Sequence, residues 1–283
     1  MFNISKSLMI QGTSSGVGKT ILVAALCRIF SNLGYKVAPF KSQNMSNYSY
    51  HGKNFEISRA QALQAIAARI DVSPHLNPIL LKPLGNYKSS IFLQGKFYRK
   101  LHANDYYKNF TLSKGLDLIL ESYDILRKNY DLIIIEGAGS PAEINLEKYD
   151  IANMKTALRT KSPVILITDI ERGGSFASII GTLQLLDKKY RKLVKGLVFN
   201  KFRGDKDILK PGLRKIKQIT GKPVFGVIPM INLSLPEEDS LGVKPKTLNW
   251  NKKNIAKMDS EIEKLSKLVK SNLNIKAIEG LVK

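Results

Sequence analysis

The chain has 283 residues, of which 43% are hydrophobic and 24% are charged, and its formal net charge is +22. That length can bury the core of one large α/β domain, and no apolar run is long enough to cross a membrane or to act as a secretory signal. The single cysteine, Cys27, excludes an internal disulfide and fits the reducing cytoplasm, where we expect this protein.

The excess of 45 basic over 23 acidic residues attracts polyanions. A nucleotide, a polycarboxylate substrate or nucleic acid would each satisfy that charge, and so would a general lysine bias. The lysines are spread along the chain, without an arginine-rich arm, a zinc pattern or an RNA-binding aromatic signature. We therefore expect neither a nucleic-acid nor a membrane partner.

Short apolar runs that read as strands alternate with helical patterns along most of the chain. The strands are predicted at residues 7–12, 36–40, 131–137, 163–169, 196–202 and 223–229. The helices are predicted at residues 18–33, 56–70, 112–129, 175–188 and 207–220. Near-continuous apolar strands that alternate with helices are typical of a doubly wound, mostly parallel sheet. Residues 84–110 break the alternation, and we predict a polar, aromatic excursion there with one short strand at 91–94.

A loop rich in glycine, serine and threonine, "GTSSGVGKT", connects the first strand to the first helix. It resembles a Walker A phosphate-binding loop, although Thr13 stands where the usual spacing has its first glycine. Backbone N–H groups and the start of the helix would hold the phosphates, with Lys19 at the β- and γ-phosphates and Thr20 on Mg²⁺. The predicted nucleotide-binding residues of the loop are Gly12, Thr13, Gly16, Val17, Gly18, Lys19 and Thr20.

Two later strands end in carboxylates at positions that suit a site. Glu136 follows the apolar run "DLIII", and Asp169 ends "PVILIT". The carboxyl ends of parallel strands are where open α/β sheets bind ligands. Glu136 is therefore predicted to hold Mg²⁺ directly or through water. Cys27, by contrast, lies inside an apolar helix and is predicted to be a packing residue.

The composition shifts after residue 235. We predict three units: a phosphate-loop domain at 1–235, a linker at 236–254, and an amphipathic helix with a tail at 255–283. Apolar residues recur at spacings of three and four in this last unit, which gives the helix one apolar face. These residues are Ile255, Met258, Ile262, Leu265 and Val269.

Taken together and in order, the motifs over residues 7–242 resemble those of cobyric acid synthases. They are "APFKSQNMS", "EISRAQALQA", "NPILLKP", "EGAGSPAEINL", "DIANM", "DIERGGSFAS", "NKFRGD", "PGL" and "GKPVFGVIPM". The resemblance implies a P-loop fold of the dethiobiotin synthetase type. It also implies a ligase that uses ATP and Mg²⁺ to amidate the b, d, e and g carboxylates of adenosyl-cobyrinic acid a,c-diamide.

The resemblance also implies roles for individual residues. Lys19, Lys41 and Glu136 would act in catalysis, and Glu56 would join Thr20 and Glu136 as a metal ligand. Asn200 would read the adenine edge. The predicted substrate residues are Gln43, Asn44, Asp169 and Arg172. We interpret Gln61 and Gln64 as residues of a solvated or packed helix face.

We expect no counterpart here of the glutamine amidotransferase domain that such synthases carry, so ammonia would come from a separate glutaminase subunit or from free ammonium. The sequence leaves a homodimer open. Three alternatives also stay open: a cobyrinic acid a,c-diamide synthase, a P-loop ATPase switch, and a regulatory module without catalysis. The first alternative is disfavoured because this chain has "FKSQNMSNYS" where cobyrinic acid a,c-diamide synthases carry "FK.GPDYID". The second is disfavoured because Thr13 stands where such switches carry a lysine.

Overall fold

The six apolar runs form one parallel sheet in a computed structural model, which describes residues 6–236 and 248–283. The strands of the described residues are Lys6–Gly12 (β1), Val37–Phe40 (β2), Gln43–Met45 (β3), Ser49–His51 (β4), Glu56–Ser58 (β5), Ile79–Gly85 (β6), Lys88–Leu93 (β7), Lys96–His102 (β8), Leu132–Glu136 (β9), Val164–Asp169 (β10), Val194–Phe202 (β11) and Val224–Pro229 (β12). The predicted α/β fold class is confirmed.

The large sheet has the order β12-β11-β10-β1-β9-β2, and its neighbouring strands run parallel. Successive residues of β9 enter different cores, because Ile133 packs on one face of the sheet and Ile134 on the other. Both faces are covered, which explains why these strands are apolar without interruption. β1 is central, so the loop that follows it lies in the middle of the carboxyl edge.

Helices cover both faces of this sheet. In the described residues they are Lys19–Asn32 (α1), Arg59–Ala68 (α2), Ala103–Asp105 (α3), Leu116–Arg127 (α4), Met154–Arg159 (α5), Ser175–Leu185 (α6), Lys188–Arg191 (α7), Lys206–Thr220 (α8), Lys252–Asn272 (α9) and Ile275–Glu279 (α10). A π-helix at Tyr106–Gly115 leads into α4, and 3₁₀ turns occur at Pro74–Leu76 and Glu147–Tyr149.

The helix predicted at 56–70 starts later than expected. Residues 56–58 form β5, and α2 begins only at Arg59 because the Ser58 hydroxyl caps it by accepting a hydrogen bond from the Ala60 N–H at 3.2 Å. A serine cap satisfies a backbone donor that the first turn leaves unpaired. The cap therefore fixes where the strand ends and the helix starts.

The prediction of one short strand within residues 84–110 was wrong. β6, β7 and β8 form an antiparallel meander, and β3 joins it along β6 to give a second sheet of four strands. Two-residue turns connect the strands, with positive φ at Asn86 and Tyr87 in one turn and at Gln94 and Gly95 in the other. Such turns match the right-handed twist of paired strands. The polar residues mark hairpin turns rather than an irregular loop.

The amphipathic helix predicted from residue 255 corresponds to α9. Its apolar face is buried in the same core as α1, with Met258, Ile262, Leu265 and Val269 between 0% and 4% exposed. α9 thus packs on the P-loop domain itself. Most of the linker predicted at 236–254 lies outside the described residues. Within them, no helix is both long and apolar enough to span a membrane.

Candidate functional site

The loop between β1 and α1 has the geometry of a phosphate cradle. Gly16 and Gly18 adopt φ values of +72° and +98°, which favour glycine. Thr13 anchors the loop on β10, since its N–H donates to the Ile167 carbonyl at 3.0 Å and its hydroxyl donates to Thr168 at 3.1 Å. Within the described structure, no side chain caps the first turn of α1. Its N–H groups are therefore available to an anion.

Lys19 spans the cradle. Its Nζ donates to the Ser14 carbonyl at 3.0 Å and to the Gly139 carbonyl at 2.9 Å, which links the loop to the segment after β9. Lys19 is 7% exposed, so its ammonium group is held among backbone oxygens. A phosphate in the cradle would offer that ammonium a stronger, charged acceptor.

Three of the predicted catalytic and metal residues meet at the Glu136 carboxylate. Its Oε1 accepts hydrogen bonds from the Thr20 hydroxyl at 2.7 Å and from the Lys41 ammonium at 2.7 Å. Glu136 and Lys41 are 1% and 6% exposed. A buried carboxylate needs a paired cation and further donors, and here it has both. The structure thus brings Thr20, Lys41 and Glu136 into direct contact.

Two glutamines, which the sequence analysis assigned to a solvated or packed helix face, complete this cluster. Gln64 Nε2 donates to Glu136 Oε2 at 2.6 Å and to the Thr20 carbonyl at 3.3 Å, and Gln61 Nε2 lies 3.4 Å from the same Oε2. Both glutamines are fully buried on α2. Their spacing of three residues, which puts both on one side of a helix, was the available signal.

A short network holds the loop that follows Glu136. Asp150 accepts hydrogen bonds from the N–H groups of Asn153 and Met154, and Asn153 donates to the Ala138 carbonyl at 2.7 Å. The Ala138 N–H donates back to Asn153 Oδ1 at 3.1 Å. The "DIANM" segment therefore holds the backbone at Ala138. The carbonyl of the next residue, Gly139, accepts the hydrogen bond from Lys19.

Asn44 and Gln43 lie on β3 at different distances from this cluster. Asn44 is buried and donates to Gln61 Oε1 at 3.2 Å, so one side chain separates it from Glu136. Gln43 accepts a hydrogen bond from the Tyr106 hydroxyl at 2.6 Å. Burial raises the pKa of Tyr106 well above its ordinary value, so this hydroxyl keeps its proton and acts as the donor.

Glu56, the third predicted metal ligand, lies elsewhere in this structure. Its carboxylate pairs with Lys82 at 2.5 Å, and His51 lies 3.7 Å away. Burial raises the pKa of Glu56, but hydrogen bonds from Lys82 and Ser49 outweigh it and bring the pKa below the ordinary 4.5. No hydrogen bond or ion pair among the described residues joins Glu56 to Thr20 or Glu136, and its role as a ligand stays a prediction.

Asp169 and Arg172 lie on the other side of the phosphate loop. Asp169 pairs with Lys201 at 2.8 Å, and Lys201 also donates to the Gly16 carbonyl at 2.7 Å. Sequence reasoning did not single out Lys201. Arg172 is exposed and borders, with Asp169 and Gly16, a cavity of about 130 Å³. These predicted substrate residues therefore adjoin the cradle from the β10 side.

Asn200 contacts the phosphate loop directly. Its Nδ2 donates to the Val17 carbonyl at 2.8 Å and would lie 2.2 Å from a Cβ at position 18. Position 18 therefore requires glycine both for its φ and for this close approach. Asn200 therefore lies beside the start of α1, and its contact with adenine stays a prediction.

Cys27 packs in the hydrophobic core beneath the site. It is fully buried in α1, and burial, with a further contribution from the Glu136 charge, raises the pKa of its thiol far above the ordinary value. It is therefore a protonated packing residue at neutral pH. The structure places Cys27 in the core, as predicted for a packing residue.

The oxygen donors at Thr20 and Glu136 fit a magnesium ion. Mg²⁺ prefers hard oxygen ligands and typically takes one or two from protein, with water and phosphate oxygens supplying the rest. The Thr20 hydroxyl and one Glu136 oxygen already lie 2.7 Å apart, beside the phosphate cradle. An ion between the cradle and these two side chains would need no other protein ligand.

The sequence also matches known proteins. Residues 8–241 match the family described as the CobQ/CobB/MinD/ParA nucleotide binding domain, CbiA. A "Probable cobyric acid synthase" of Thermococcus kodakarensis is 54% identical over 247 residues, which are 86% of this chain and 50% of the relative. Another, of Methanococcus vannielii, is 49% identical over 269 residues, or 94% of this chain and 54% of the relative.

A "Cobyric acid synthase" of Caldanaerobacter subterraneus subsp. tengcongensis is 54% identical over 233 residues, which are 82% of this chain and 46% of the relative. The chain thus spans about half the length of the curated relatives it matches. The resemblance to cobyric acid synthases that the motifs indicated is confirmed. By its match over most of its length, this chain belongs to the CobQ/CobB/MinD/ParA nucleotide binding domain family.

Proposed function

We propose that this chain is the ATP-dependent ligase part of a cobyric acid synthase. Its substrate would be adenosyl-cobyrinic acid a,c-diamide, and its products would be the b, d, e and g amides that make cobyric acid. The observation that carries the proposal is the contact of Thr20, Lys41 and Glu136 beside the phosphate cradle. The similarity to proteins named cobyric acid synthase supports the choice of substrate.

The proposed reaction has two steps. A carboxylate oxygen of the substrate attacks the γ-phosphorus of ATP, the bond to the β,γ-bridging oxygen breaks, and ADP leaves. Ammonia then attacks the carbonyl carbon of the acyl phosphate, loses a proton, and phosphate leaves as the amide forms. Phosphoryl transfer of this kind depends on positioning and on neutralising charge rather than on covalent help from the protein.

The residues of the cluster would provide that neutralisation. Lys19 would turn from the Ser14 and Gly139 carbonyls to the β- and γ-phosphates. Lys41 would stabilise the transferring phosphoryl group or the attacking carboxylate from its position 2.7 Å from Glu136. Thr20 and Glu136 would hold Mg²⁺, which, when bound, offsets the negative charge of the phosphates. Asn200 would contact the adenine edge.

The second step of the proposed reaction needs a source of ammonia. We propose that a separate glutaminase subunit or free ammonium supplies the nitrogen. In either case the ligase half would bind ATP and the corrinoid on its own. We place this reaction in the cytoplasm.

The test is mass spectrometry of the adenosyl-corrinoid diamide incubated with the protein, ATP, Mg²⁺ and ammonium. We expect successive products in which carboxylic acids become amides, and one ADP for each amide. Lys19→Ala should give none of them, because the phosphates lose their cation. A parallel incubation with glutamine in place of ammonium separates the two nitrogen sources. The proposal fails if the wild-type protein binds ATP and corrinoid but forms neither amide nor ADP.

A further inference from the structure

The antiparallel meander of β6 to β8 has one buried face and one partly exposed face. Successive side chains of a strand point to opposite faces. Leu81 of β6 and Ile91 of β7, which are paired in register, are 3% and 0% exposed and lie in the core. We call the opposite side the outer face. It consists of Lys82, Ser90, Phe92, Phe97 and Lys100.

Two phenylalanines and a lysine contact one another on the outer face. The rings of Phe92 and Phe97 meet edge to face with their centroids 5.7 Å apart, and Lys82 Nζ lies 5.6 Å from the centroid of Phe92. Phe97 is 58% exposed. Neighbouring strands lie about 4.8 Å apart, so three strands give a face about 10 Å wide. Such a face offers aromatic surface to a flat macrocycle.

The meander carries positive charge only. Residues 79–102 contain five lysines and arginines and no aspartate or glutamate. Glu56 of β5 partly neutralises the outer face, since it pairs with Lys82 at 2.5 Å. Lys100 is exposed on the same face. The charge and the aromatic rings together favour a ligand that is anionic at its rim and apolar over its surface.

The outer face extends to the cluster around Glu136. β3 joins the meander along β6, and Asn44 of β3 is paired with Leu80, which lies on the same side of β6 as Lys82. Asn44 donates to Gln61 Oε1 at 3.2 Å, and Gln61 Nε2 lies 3.4 Å from Glu136 Oε2. A molecule on the outer face would therefore have one edge beside the proposed site of phosphoryl transfer.

We propose that the outer face binds the corrinoid, with the macrocycle against Phe92 and Phe97 and its carboxylates beside Lys100 and the other cations of the meander. This rests on the proposed function, in which a corrinoid polycarboxylate is the substrate. The corrin ring is apolar over its surface and carries carboxylates around its rim, so it matches both the rings and the charge. The ring would approach through the side opposite its adenosyl group, and the carboxylate nearest Asn44 would receive the phosphoryl group.

The experiment compares the two proposed substrates on variants of exposed residues. Isothermal titration would give the Kd of the adenosyl-corrinoid diamide and of ADP with Mg²⁺ for the full chain. Phe97→Ala should weaken the corrinoid at least about fivefold by removing apolar contact, and Lys100→Glu about tenfold by reversing a charge. ADP should change less than about twofold in both.

The matched control is Lys128→Glu, which changes the net charge as Lys100→Glu does. Lys128 is exposed after α4 and precedes β9, whereas Glu136 ends that strand. Lys128→Glu should weaken the corrinoid less than about twofold. A loss equal to that of Lys100→Glu would overturn the inference, because the net charge of the chain rather than the outer face would then attract the ligand.

The remaining outcomes separate this inference from the proposed function. If Phe97→Ala and Lys100→Glu bind the corrinoid as the wild type does, the inference is overturned while the ligase proposal stands. Equal losses of corrinoid and ADP affinity would also overturn it, since the substitutions would then act through the whole fold. A change of oligomeric state in Phe97→Ala, seen by sedimentation with corrinoid affinity unchanged, would assign the face to a second copy of the chain instead. If the wild type binds ADP but no corrinoid, the proposed function fails and this inference with it.

Discussion

A single carboxylate organises the site at the scale of residues. Glu136 is almost wholly buried, and both of its oxygens accept hydrogen bonds, Oε1 from Thr20 and Lys41 and Oε2 from Gln64. Burying a carboxylate without such partners costs several kcal/mol. The charge is thus held in place by side chains from α1, from α2 and from the residue that follows β2.

Replacing Lys41 should reveal the free-energy cost of burying the Glu136 carboxylate without its cation. We expect Lys41→Met to lower the free energy of unfolding by about 3 kcal/mol, because the Glu136 charge stays buried without its cation. The double variant Lys41→Met/Glu136→Gln should recover a large part of the loss, since no buried charge remains. Urea unfolding at pH 7 measures both. A double variant less stable than Lys41→Met would show that the pair is not the origin of the effect.

The Glu56–Lys82 pair gives a prediction for acid pH. The pKa of Glu56 is lowered in the folded protein, so the ionised carboxylate stabilises the fold above its ordinary pKa of 4.5. That contribution is lost as the pH falls through the folded-state pKa. The difference in unfolding free energy between wild type and Glu56→Gln should therefore be constant from about pH 7 to 5.5 and shrink below 4.5.

Urea unfolding between pH 3 and pH 7 measures this difference, with Glu143→Gln as a control at an exposed position. The control should show no comparable loss. A difference for Glu56→Gln that grows on acidification would contradict the assigned pairing with Lys82.

Some of these residues could be predicted from the sequence and others could not. Thr20 could be predicted from the Walker A pattern and Glu136 from its place at the end of an apolar strand, because local structure sets both positions. The contacts of Gln61, Gln64 and Lys201 depend on how separate elements pack. The spacing of the two glutamines puts them on one side of a helix but does not reveal what that side contacts. Gln64 contacts Glu136 only because α2 packs between α1 and the end of β9.

At the scale of elements, strand patterns were the most informative. β9, β10 and β12 match their predicted ranges to within one residue at each end, because both faces of each strand are covered. The meander of β6 to β8 was missed, since β8 is exposed along most of its length and lacks an apolar signal. The Gln94–Gly95 turn between β7 and β8 was a hairpin signal, but the polar and aromatic composition of the segment obscured it.

Arg28 connects three helices, and its removal should loosen α9. Besides its pairs with Asp259 and Glu263, it donates to the carbonyls of Ala67 at 2.9 Å and Ile66 at 3.1 Å at the end of α2. We expect Arg28→Met to cost about 2 kcal/mol of stability, less than a fully buried pair because both carboxylates are partly exposed.

Arg28→Lys should recover less than half of that loss, since an ammonium cannot make the same fork of hydrogen bonds. Urea unfolding measures the loss of unfolding free energy, and hydrogen exchange of the α9 amides shows whether α9 is the part that is destabilised. Faster exchange throughout the chain, with no preference for α9, would contradict the proposed position of Arg28 as the link between α1, α2 and α9.

At the scale of the whole molecule, the parallel sheet gathers the site at one edge. The ends of β1, β9, β10 and β11 supply the phosphate loop, Glu136, Asp169 and Asn200, although Gly12 and Asn200 lie 188 residues apart in sequence. The net charge of +22 gives the molecule as a whole a positive field. ATP and a corrinoid with several carboxylates are both anionic, so the field and the proposed substrates have opposite signs.

If that field assists binding of the corrinoid, binding should weaken with salt. Screening shortens the range of charge interactions from about 10 Å at 0.1 M to about 3 Å at 1 M ionic strength. We expect the association rate of the corrinoid diamide, followed by stopped-flow absorbance, to fall by about tenfold between 0.05 M and 0.5 M KCl. The fully amidated product has fewer carboxylates and is the matched control, so its rate should fall less. Equal salt dependence for the two corrinoids would mean that contacts within the site, rather than the charge of the whole chain, govern their capture.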